Sequence, residues 1–193
     1  LVGRLVGTEL SKRLKQTVVI ENLGGAGGVI GAQKVVKAPA DGYTLLVSAN
    51  NEMAIAPLIN KAVKYDVFKD FTPIGLVATQ PMVLVASPAM GVKNMQDFTN
   101  LVAKNPGKYS YGSSGIGTAL HLAGEMIKQS AHLEMTHVPY KGVAPLTNDL
   151  VGNNLDFGVF VLSSGLPHIK AGKVVALGTT EAKRSAVTPD LPA

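Results

Sequence analysis

Tyr109-Ser-Tyr-Gly-Ser-Ser-Gly-Ile-Gly-Thr118 joins a predicted strand to a predicted helix. Residues 109–111 predict a short strand, Gly112-Ser-Ser-Gly-Ile-Gly117 predicts a glycine-rich loop, and residues 118–129 have the apolar spacing of a helix. A strand that leads through a loop into a helix is the first half of a βαβ unit. The stretch therefore indicates an α/β fold.

The same alternation continues on both sides of this stretch. The other predicted strands are residues 17–20, 43–47, 82–86, 135–138, 155–161 and 174–178. The other predicted helices are residues 1–14, 29–37, 94–104 and 145–151, and Asn94 is suited to cap the third of them. Strands that alternate with helices of this length form right-handed crossovers. The sequence therefore predicts mostly parallel sheets with helices on both faces.

The composition excludes several classes of protein. There are 18 Lys and Arg against 13 Asp and Glu, but the basic residues are scattered and aromatic residues make up only 5%. A nucleic-acid surface would cluster basic residues and interleave aromatic ones, so a small anionic ligand is a more suitable partner. The absence of cysteine excludes disulfides and thiolate sites. The longest apolar stretches are too short to cross a bilayer, so no membrane insertion is expected.

Four loops follow predicted strands, at Ser48–Glu52, Gly112–Gly117, Pro139–Gly142 and Leu162–Gly165. In open parallel sheets, ligands bind beyond the carboxyl ends of the strands, where loops deliver helix N-termini. All four loops are rich in small or polar residues rather than in catalytic bases. Their candidate ligand contacts are Ser48, Asn50, Ser113, Ser114, Gly115, Gly117, Thr118, Tyr140, Lys141 and Gly142.

The Gly-Ser loop, residues 112–117, is the most informative of the four. Its three glycines allow backbone N–H groups to approach a ligand, while Ser113, Ser114 and Thr118 add hydroxyl groups, and Thr118 is suited to cap the next helix. Such a loop would form a neutral cradle for an anion. The alternative is a plain turn that joins a strand to a helix. For Lys141, the alternative to a ligand contact is a solvent-facing cation.

Enzyme motifs fail when they are written out. In Gly24-Gly-Ala-Gly-Gly-Val-Ile-Gly31, a G-x-G-x-x-G frame begun at Gly25 puts Ile30 where the last glycine belongs. Gly112-Ser-Ser-Gly-Ile116 misses the G-x-S-x-G elbow at its final residue. The four histidines show no metal-ligand spacing, so neither a metal nor another cofactor is expected.

One enzymatic alternative stays open, an α/β hydrolase or dinucleotide-dependent enzyme in which Ser113 or Ser114 works with His121. A nucleophile needs a positioned base and a third group that orients the base, and no acid is evident for the third role. We therefore expect His121 to pack rather than react. Asp156 is expected to form hydrogen bonds where its strand begins.

Several short motifs occur together in one order. They are Gly24-Gly-Ala-Gly-Gly28, Ala40-Asp-Gly-Tyr-Thr-Leu-Leu46, Tyr111–Gly117, His121-Leu-Ala-Gly-Glu125, His137-Val-Pro-Tyr-Lys-Gly142, Leu166–Lys173 and Ala182-Lys-Arg-Ser185. In this combination the chain closely resembles the Bug family, the periplasmic receptors of tripartite tricarboxylate transporters. The resemblance covers essentially all 193 residues.

The resemblance implies a two-lobed periplasmic binding protein of the Venus flytrap type. Such a protein would capture a small carboxylic acid by lobe closure, through backbone amides and hydroxyl groups, and would catalyse nothing. Its partners would be membrane transporter subunits or a sensor domain. No cofactor is implied.

The resemblance also implies a division into lobes. The extended segment Pro73–Ala86 holds two predicted strands with no helix between them, so we place a hinge at residues 79–81. Residues 1–79 would belong to lobe 1, residues 80–178 to lobe 2, and residues 179–193 to a segment that returns to lobe 1. Family members carry a ligand loop before the first of these residues and about a hundred residues after the last, so the chain is expected to be truncated at both ends.

Phe160 departs from the family pattern. It stands in the predicted strand 155–161, where many relatives have an aspartate that faces the cleft. An acid at that position would receive a ligand ammonium group. We therefore expect Phe160 to face the ligand and to favour a plain or aromatic carboxylate over an amino acid.

Overall fold

The computed structural model describes residues 2–184 and 188–193, which form two compact units. The first unit ends at Thr72 and the second begins at Pro73. The lobes expected from the sequence, residues 1–79, residues 80–178 and a return segment at residues 179–193, stay a prediction. In the structure, residues 73–79 and the described residues of 179–193 are grouped with the second unit. Leu1, where the first predicted helix starts, and Ser185, the end of the last motif, lie outside the described residues.

Unit 1 is built from short helices around a small apolar core. Its helices are α1 (Val2–Leu14), α2 (Val29–Val36) and α3 (Ala56–Ile59), with a 3-10 turn at Ala26–Gly28 and a π-helical turn at Asn51–Ile55. The buried core of this unit is formed by Val29, Ala32, Ala56 and Tyr65. The glycines at residues 24–28 lead directly into α2, which the sequence predicted at residues 29–37.

The strands predicted in unit 1 are not formed. Residues 17–20 and 43–47 are not assigned as strands, and no strand is assigned anywhere in residues 2–72. A strand requires hydrogen bonds to a neighbouring strand, and among the described residues no ladder includes these segments. Apolar side chains are left at the surface as a result, with Val19 84% and Tyr43 92% exposed.

Unit 2 contains a five-stranded mixed sheet. Its strands are β1 (Met82–Ala86), β2 (Ser110–Ser113), β3 (Thr136–Pro139), β4 (Phe157–Val161) and β5 (Val175–Thr179), in the order β3-β2-β4-β1-β5. Strand β2 runs parallel to β3 and β4, whereas β1 is antiparallel to β4 and β5. Four of the five strands therefore run in the same direction and β1 runs against them, so the prediction of a mostly parallel sheet is confirmed for unit 2. The alternation of strands and helices does not report the direction in which β1 enters the sheet.

Helices cover both faces of this sheet. They are α4 (Met95–Ala103), α5 (Ala119–Ser130), α6 (Val143–Val151) and α7 (Leu162–Lys170). Alternate residues of β1 point to opposite faces, so that Leu84 packs with Phe98 and Leu120, while Val83 packs with Leu146. The predicted α/β layering of unit 2 is thereby confirmed.

Local details confirm some predictions and correct one. Asn94 caps α4 by accepting a hydrogen bond from the N–H of Asp97 at 2.8 Å. Asp156 accepts two hydrogen bonds from Ser110, from its N–H at 2.8 Å and from its hydroxyl at 2.9 Å. The predicted loop Leu162–Gly165 is wrong, since these residues form the first turn of α7.

Candidate functional site

The Gly-Ser loop joins β2 to α5 with a backbone that depends on its glycines. Gly115 has a φ of 139° and Gly117 a φ of 74°. Residues other than glycine rarely adopt such positive values. A Cβ on Gly115 would lie 3.4 Å from the carbonyl oxygen of Tyr140. The loop is therefore held closely against the segment that follows β3.

The hydroxyl groups of this loop are used within it. Thr118 caps α5, because its Oγ1 accepts from the N–H of His121 at 3.3 Å and donates to the carbonyl of Gly115 at 2.8 Å. The Ser114 hydroxyl donates to Thr118 Oγ1 at 3.3 Å, and Ser113 is fully buried. These hydroxyls therefore shape the loop.

Backbone amides are the donors that remain at the loop. Among the described residues, the N–H groups of Ser114 and Ile116 have no hydrogen-bond acceptor. Both lie next to the N-terminus of α5, where the helix dipole adds positive potential. The loop thus offers an anion two amide donors and a helix terminus without any formal charge.

The loop after β3 is fastened to the Gly-Ser loop. The N–H of Tyr140 donates to the carbonyl of Ser113 at 3.0 Å, and the N–H of Gly142 donates to the carbonyl of Ser114 at 3.2 Å. The Tyr140 hydroxyl donates to Asp149 at 2.8 Å, and burial together with this bond raises the pKa of Tyr140 to about 12. Lys141 is exposed. The structure therefore brings together the candidate residues of both loops.

A stacked pair of histidines lies beneath the Gly-Ser loop. The ring of His137 stacks on His121 at 4.1 Å between centroids and on Tyr111 at 4.9 Å. Its Nε2 lies 2.7 Å from Ser113 Oγ. Burial, and next the neighbouring His121, lower the pKa of His137 to about 4. His137 is therefore neutral at neutral pH.

Sequence reasoning missed His137. It selected His121 from the helix after the loop, because that helix follows the loop directly in the chain. The signal for His137 is the parallel pairing of β2 with β3, which sets Tyr111 opposite His137. The two motifs that contain Tyr111 and His137 are visible in the sequence, but the register that pairs their strands is not.

A charged network continues from the histidines along α5. The Tyr111 hydroxyl donates to Glu125 at 2.6 Å, and Lys128 Nζ donates to both Glu125 oxygens at 2.9 and 3.1 Å. Burial opposes ionisation of Glu125, but the hydrogen bonds from Tyr111 and Lys128 outweigh it, so the pKa of Glu125 is lowered. A Cβ on Gly124 would lie 2.1 Å from the Tyr111 ring. This glycine therefore allows the tyrosine to pack on α5.

The geometry does not support the enzymatic alternative. Ser113 contacts His137 rather than His121, and its side chain is fully buried, out of reach of a substrate. In the described part of the chain, no carboxylate hydrogen-bonds to His137, so the orienting group of a triad is missing. No three described His, Asp or Glu side chains are grouped as a metal site requires.

Ser48 and Asn50 belong to unit 1 and are exposed. Beside them, Glu52 is buried and accepts a hydrogen bond from the N–H of Ala49 at 2.8 Å. Burial raises the pKa of Glu52, opposed by this hydrogen bond. Sequence reasoning included Glu52 in the loop but gave it no role.

Phe160 is not placed as the sequence predicted. Its side chain is 1% exposed and packs in the apolar core of unit 2, beside Val83 and Leu162. Because β4 is covered by helices on both faces, neither face of this strand is open at Phe160. The preference for plain or aromatic acids that was based on Phe160 loses its support.

Comparison with known proteins gives this geometry a context. A family model described as "Tripartite tricarboxylate transporter family receptor" matches residues 2–193. A UPF0065 protein of Pseudomonas sp. (strain P51) is 35% identical over 191 residues. The match covers 99% of this chain but 56% of that relative, so the chain spans little more than half of its length. No helix within the described residues is long and apolar enough to cross a bilayer.

Solved structures share the fold over the whole chain. Rpa4515 of R. palustris, a structure with adipate, is 33% identical with a TM-score of 0.96, and the match covers 100% of this chain and 64% of that one. The periplasmic binding protein BugD is 37% identical with a TM-score of 0.92, with the same two coverages. The chain therefore belongs to the family of tripartite tricarboxylate transporter receptors, the Bug family, which are solute-binding proteins rather than enzymes.

Proposed function

We propose that this protein is a periplasmic receptor that captures a small carboxylate on the Gly-Ser loop. The observation that carries the proposal is the pair of amides at Ser114 and Ile116, which have no acceptor among the described residues and lie beside the N-terminus of α5. The adipate-bound relative supports a dicarboxylate as the ligand class.

The energies of such a site can be bounded. A helix N-terminus contributes about 0.3–1 kcal/mol to the binding of an anion, and each hydrogen bond to a charged group contributes about 1.5–3 kcal/mol. The two amides and the helix terminus therefore supply about 3–7 kcal/mol, which is less than the roughly 8 kcal/mol that a micromolar dissociation constant requires. The other predicted contacts, Ser48, Asn50 and exposed Lys141, would supply the remainder.

The finer parts of the proposal concern unit 1 and the partners. Ser48 and Asn50 stay predicted ligand contacts, and bending at residues 79–81 stays the predicted route of lobe closure. Delivery to the membrane subunits of a transporter, or to a sensor, follows from the family and is proposed for the full-length protein.

Gly115→Val tests the placement of the site. Bulk at a residue with a φ of 139° distorts the loop and obstructs the amides, so we expect adipate binding to be lost in isothermal titration calorimetry of the full-length protein. Gly172→Val is the matched control, because Gly172 also has a positive φ of 66° but lies after α7 with open space around it. Adipate binding by Gly115→Val at wild-type affinity would place the site elsewhere.

A further inference from the structure

The two stacked histidines contact opposite ends of the Gly-Ser loop. Ser113, at the start of the loop, has its Oγ 2.7 Å from His137 Nε2. Gly117, at the end of the loop, has its N–H directed at His121 Nδ1 at 3.1 Å. Each imidazole therefore holds one end of the segment that carries the amides of Ser114 and Ile116.

The protons on these contacts follow from the donors available. A backbone N–H only donates, so His121 Nδ1 must accept from Gly117 and carries no proton. The Ser113 hydroxyl has a single proton and two acceptors within reach, the carbonyl of Gly115 at 3.2 Å and His137 Nε2 at 2.7 Å. We assign its proton to the shorter contact, in which His137 Nε2 accepts and carries no proton of its own.

We propose that His121 and His137 are positioning residues of the carboxylate site, which act as a stacked neutral pair that accepts one hydrogen bond from each end of the loop. The inference rests on the proposed function, because it assigns the histidines to the same site. Beyond stacking, the rings fix the direction of the loop amides through Ser113 and Gly117.

Acid should weaken ligand binding if this role is correct. A proton on His137 Nε2 removes the acceptor for Ser113 and places a cation against the ring of His121, 4.1 Å away. The charged and titratable groups around the pair are Tyr111 on β2 and Glu125 and Lys128 on α5. A purely electrostatic role predicts the opposite result, since a new positive charge would attract the carboxylate.

Substitutions separate the acceptor from the stacked ring. Phenylalanine keeps a flat ring and removes the acceptor, so His137→Phe and His121→Phe should each weaken adipate binding about tenfold or more. Glutamine places an amide near the position of Nε2 and asparagine near that of Nδ1, so His137→Gln and His121→Asn should bind within about twofold of wild type. His168→Phe, on α7, is the control.

A packing role would reverse this order, with the phenylalanine variants binding normally and the amide variants failing. Circular dichroism and thermal unfolding of each variant establish that it folds. If every variant and the wild type fail to bind adipate, the proposed ligand is wrong, and the histidine assignment is then decided without ligand.

Nitrogen-15 spectra of the histidine rings give that ligand-free result. At neutral pH, His137 Nε2 and His121 Nδ1 should show the chemical shift of an unprotonated ring nitrogen. The Phe variants should displace the amide resonances of Ser114 and Ile116, while the Gln and Asn variants should leave them in place. A protonated nitrogen at either position, or unmoved loop amides in the Phe variants, would overturn the inference.

Discussion

Glu52 shows how a single residue accounts for a glycine. Its carboxylate lies where a Cβ on Gly28 would stand, with only 2.6 Å between that position and Oε2. Gly28 also has a φ of 98°, so both its backbone and its missing side chain are required. The buried acid therefore explains why residue 28 is a glycine. In the sequence, residues 24–31 were noted only because they do not fit the nucleotide-binding motif.

The buried carboxyl of Glu52 should make unit 1 less stable at neutral pH. Its folded pKa is raised above the usual 4.5, so its contribution to stability is present below pH 4.5 and is lost as the pH rises through the folded value. Glu52→Gln keeps an acceptor for Ala49 and removes the charge. We expect the variant to have a higher Tm than wild type at pH 7 and nearly the same Tm at pH 4. For a chain of this length, a change of about 1 kcal/mol in the free energy of unfolding shifts the Tm by about 2–4 °C. An unchanged Tm at both pH values would contradict the prediction.

At the residue scale, the sequence revealed what depends on neighbours in the chain. Thr118 and Asn94 were identified as helix caps because a cap lies within three residues of the N–H it satisfies. His137 and Phe160 were missed or misplaced because their roles depend on which strands are paired and which faces are covered. Contacts between distant residues are not encoded in local spacing.

At the scale of elements, α5 and β2 form the support of the site. The Tyr111 ring is fully buried and lies against Gly124, where a side chain would overlap it. The same ring stacks on His137 and bonds to Glu125. The approach of the helix to the strand therefore sets the position of the histidine pair.

Gly124→Ala should destabilise the protein although alanine favours helices. Alanine gains roughly 0.5–1 kcal/mol over glycine within a helix, but overpacking of a buried ring costs about 1–3 kcal/mol. Gly3→Ala is the control, because Gly3 lies in α1 with no atom within 4 Å of the added Cβ. Urea unfolding should show Gly124→Ala below wild type and Gly3→Ala at or above it, and equal losses from the two would argue against the packing described.

The elements of unit 2 were predictable except for α7, whereas those of unit 1 were only partly so. Helix α5 was predicted at residues 118–129 and is found at Ala119–Ser130, and β1 was predicted at residues 82–86 and found there. Residues 43–47 have the pattern of a strand but no partner among the described residues. Periodicity identifies a segment that is able to pair, but pairing itself needs a second segment.

At the scale of the whole molecule, the two units differ in their secondary structure and in the size of their apolar cores. Unit 2 has a sheet with apolar clusters on both faces, whereas described unit 1 relies on three short helices and a small core. The α/β class and the family were visible from sequence because they rest on many weak motifs in one order. The antiparallel direction of β1 was not visible.

Hydrogen exchange should separate the two units. Backbone amides in central strands β1 and β4 are paired and buried, so they should exchange slowest. Residues 17–20 and 43–47 should exchange orders of magnitude faster, because they have no ladder hydrogen bonds within the described residues. Mass spectrometry of peptides after timed exchange makes the measurement, and equal protection in these regions would contradict the structure.

The pairing of β1 with β5 has a mechanical consequence. The chain enters β1 at Met82 and leaves β5 at Thr179, and the next residue, Thr180, donates its N–H to the carbonyl of Met82 at 3.0 Å. A pulling force applied at these two points would peel the strands apart one hydrogen bond at a time instead of loading all of them together as in shear. Tension along the chain would therefore separate β1 from β5 by sequential loss of their hydrogen bonds, beginning with the bond between Thr180 and Met82.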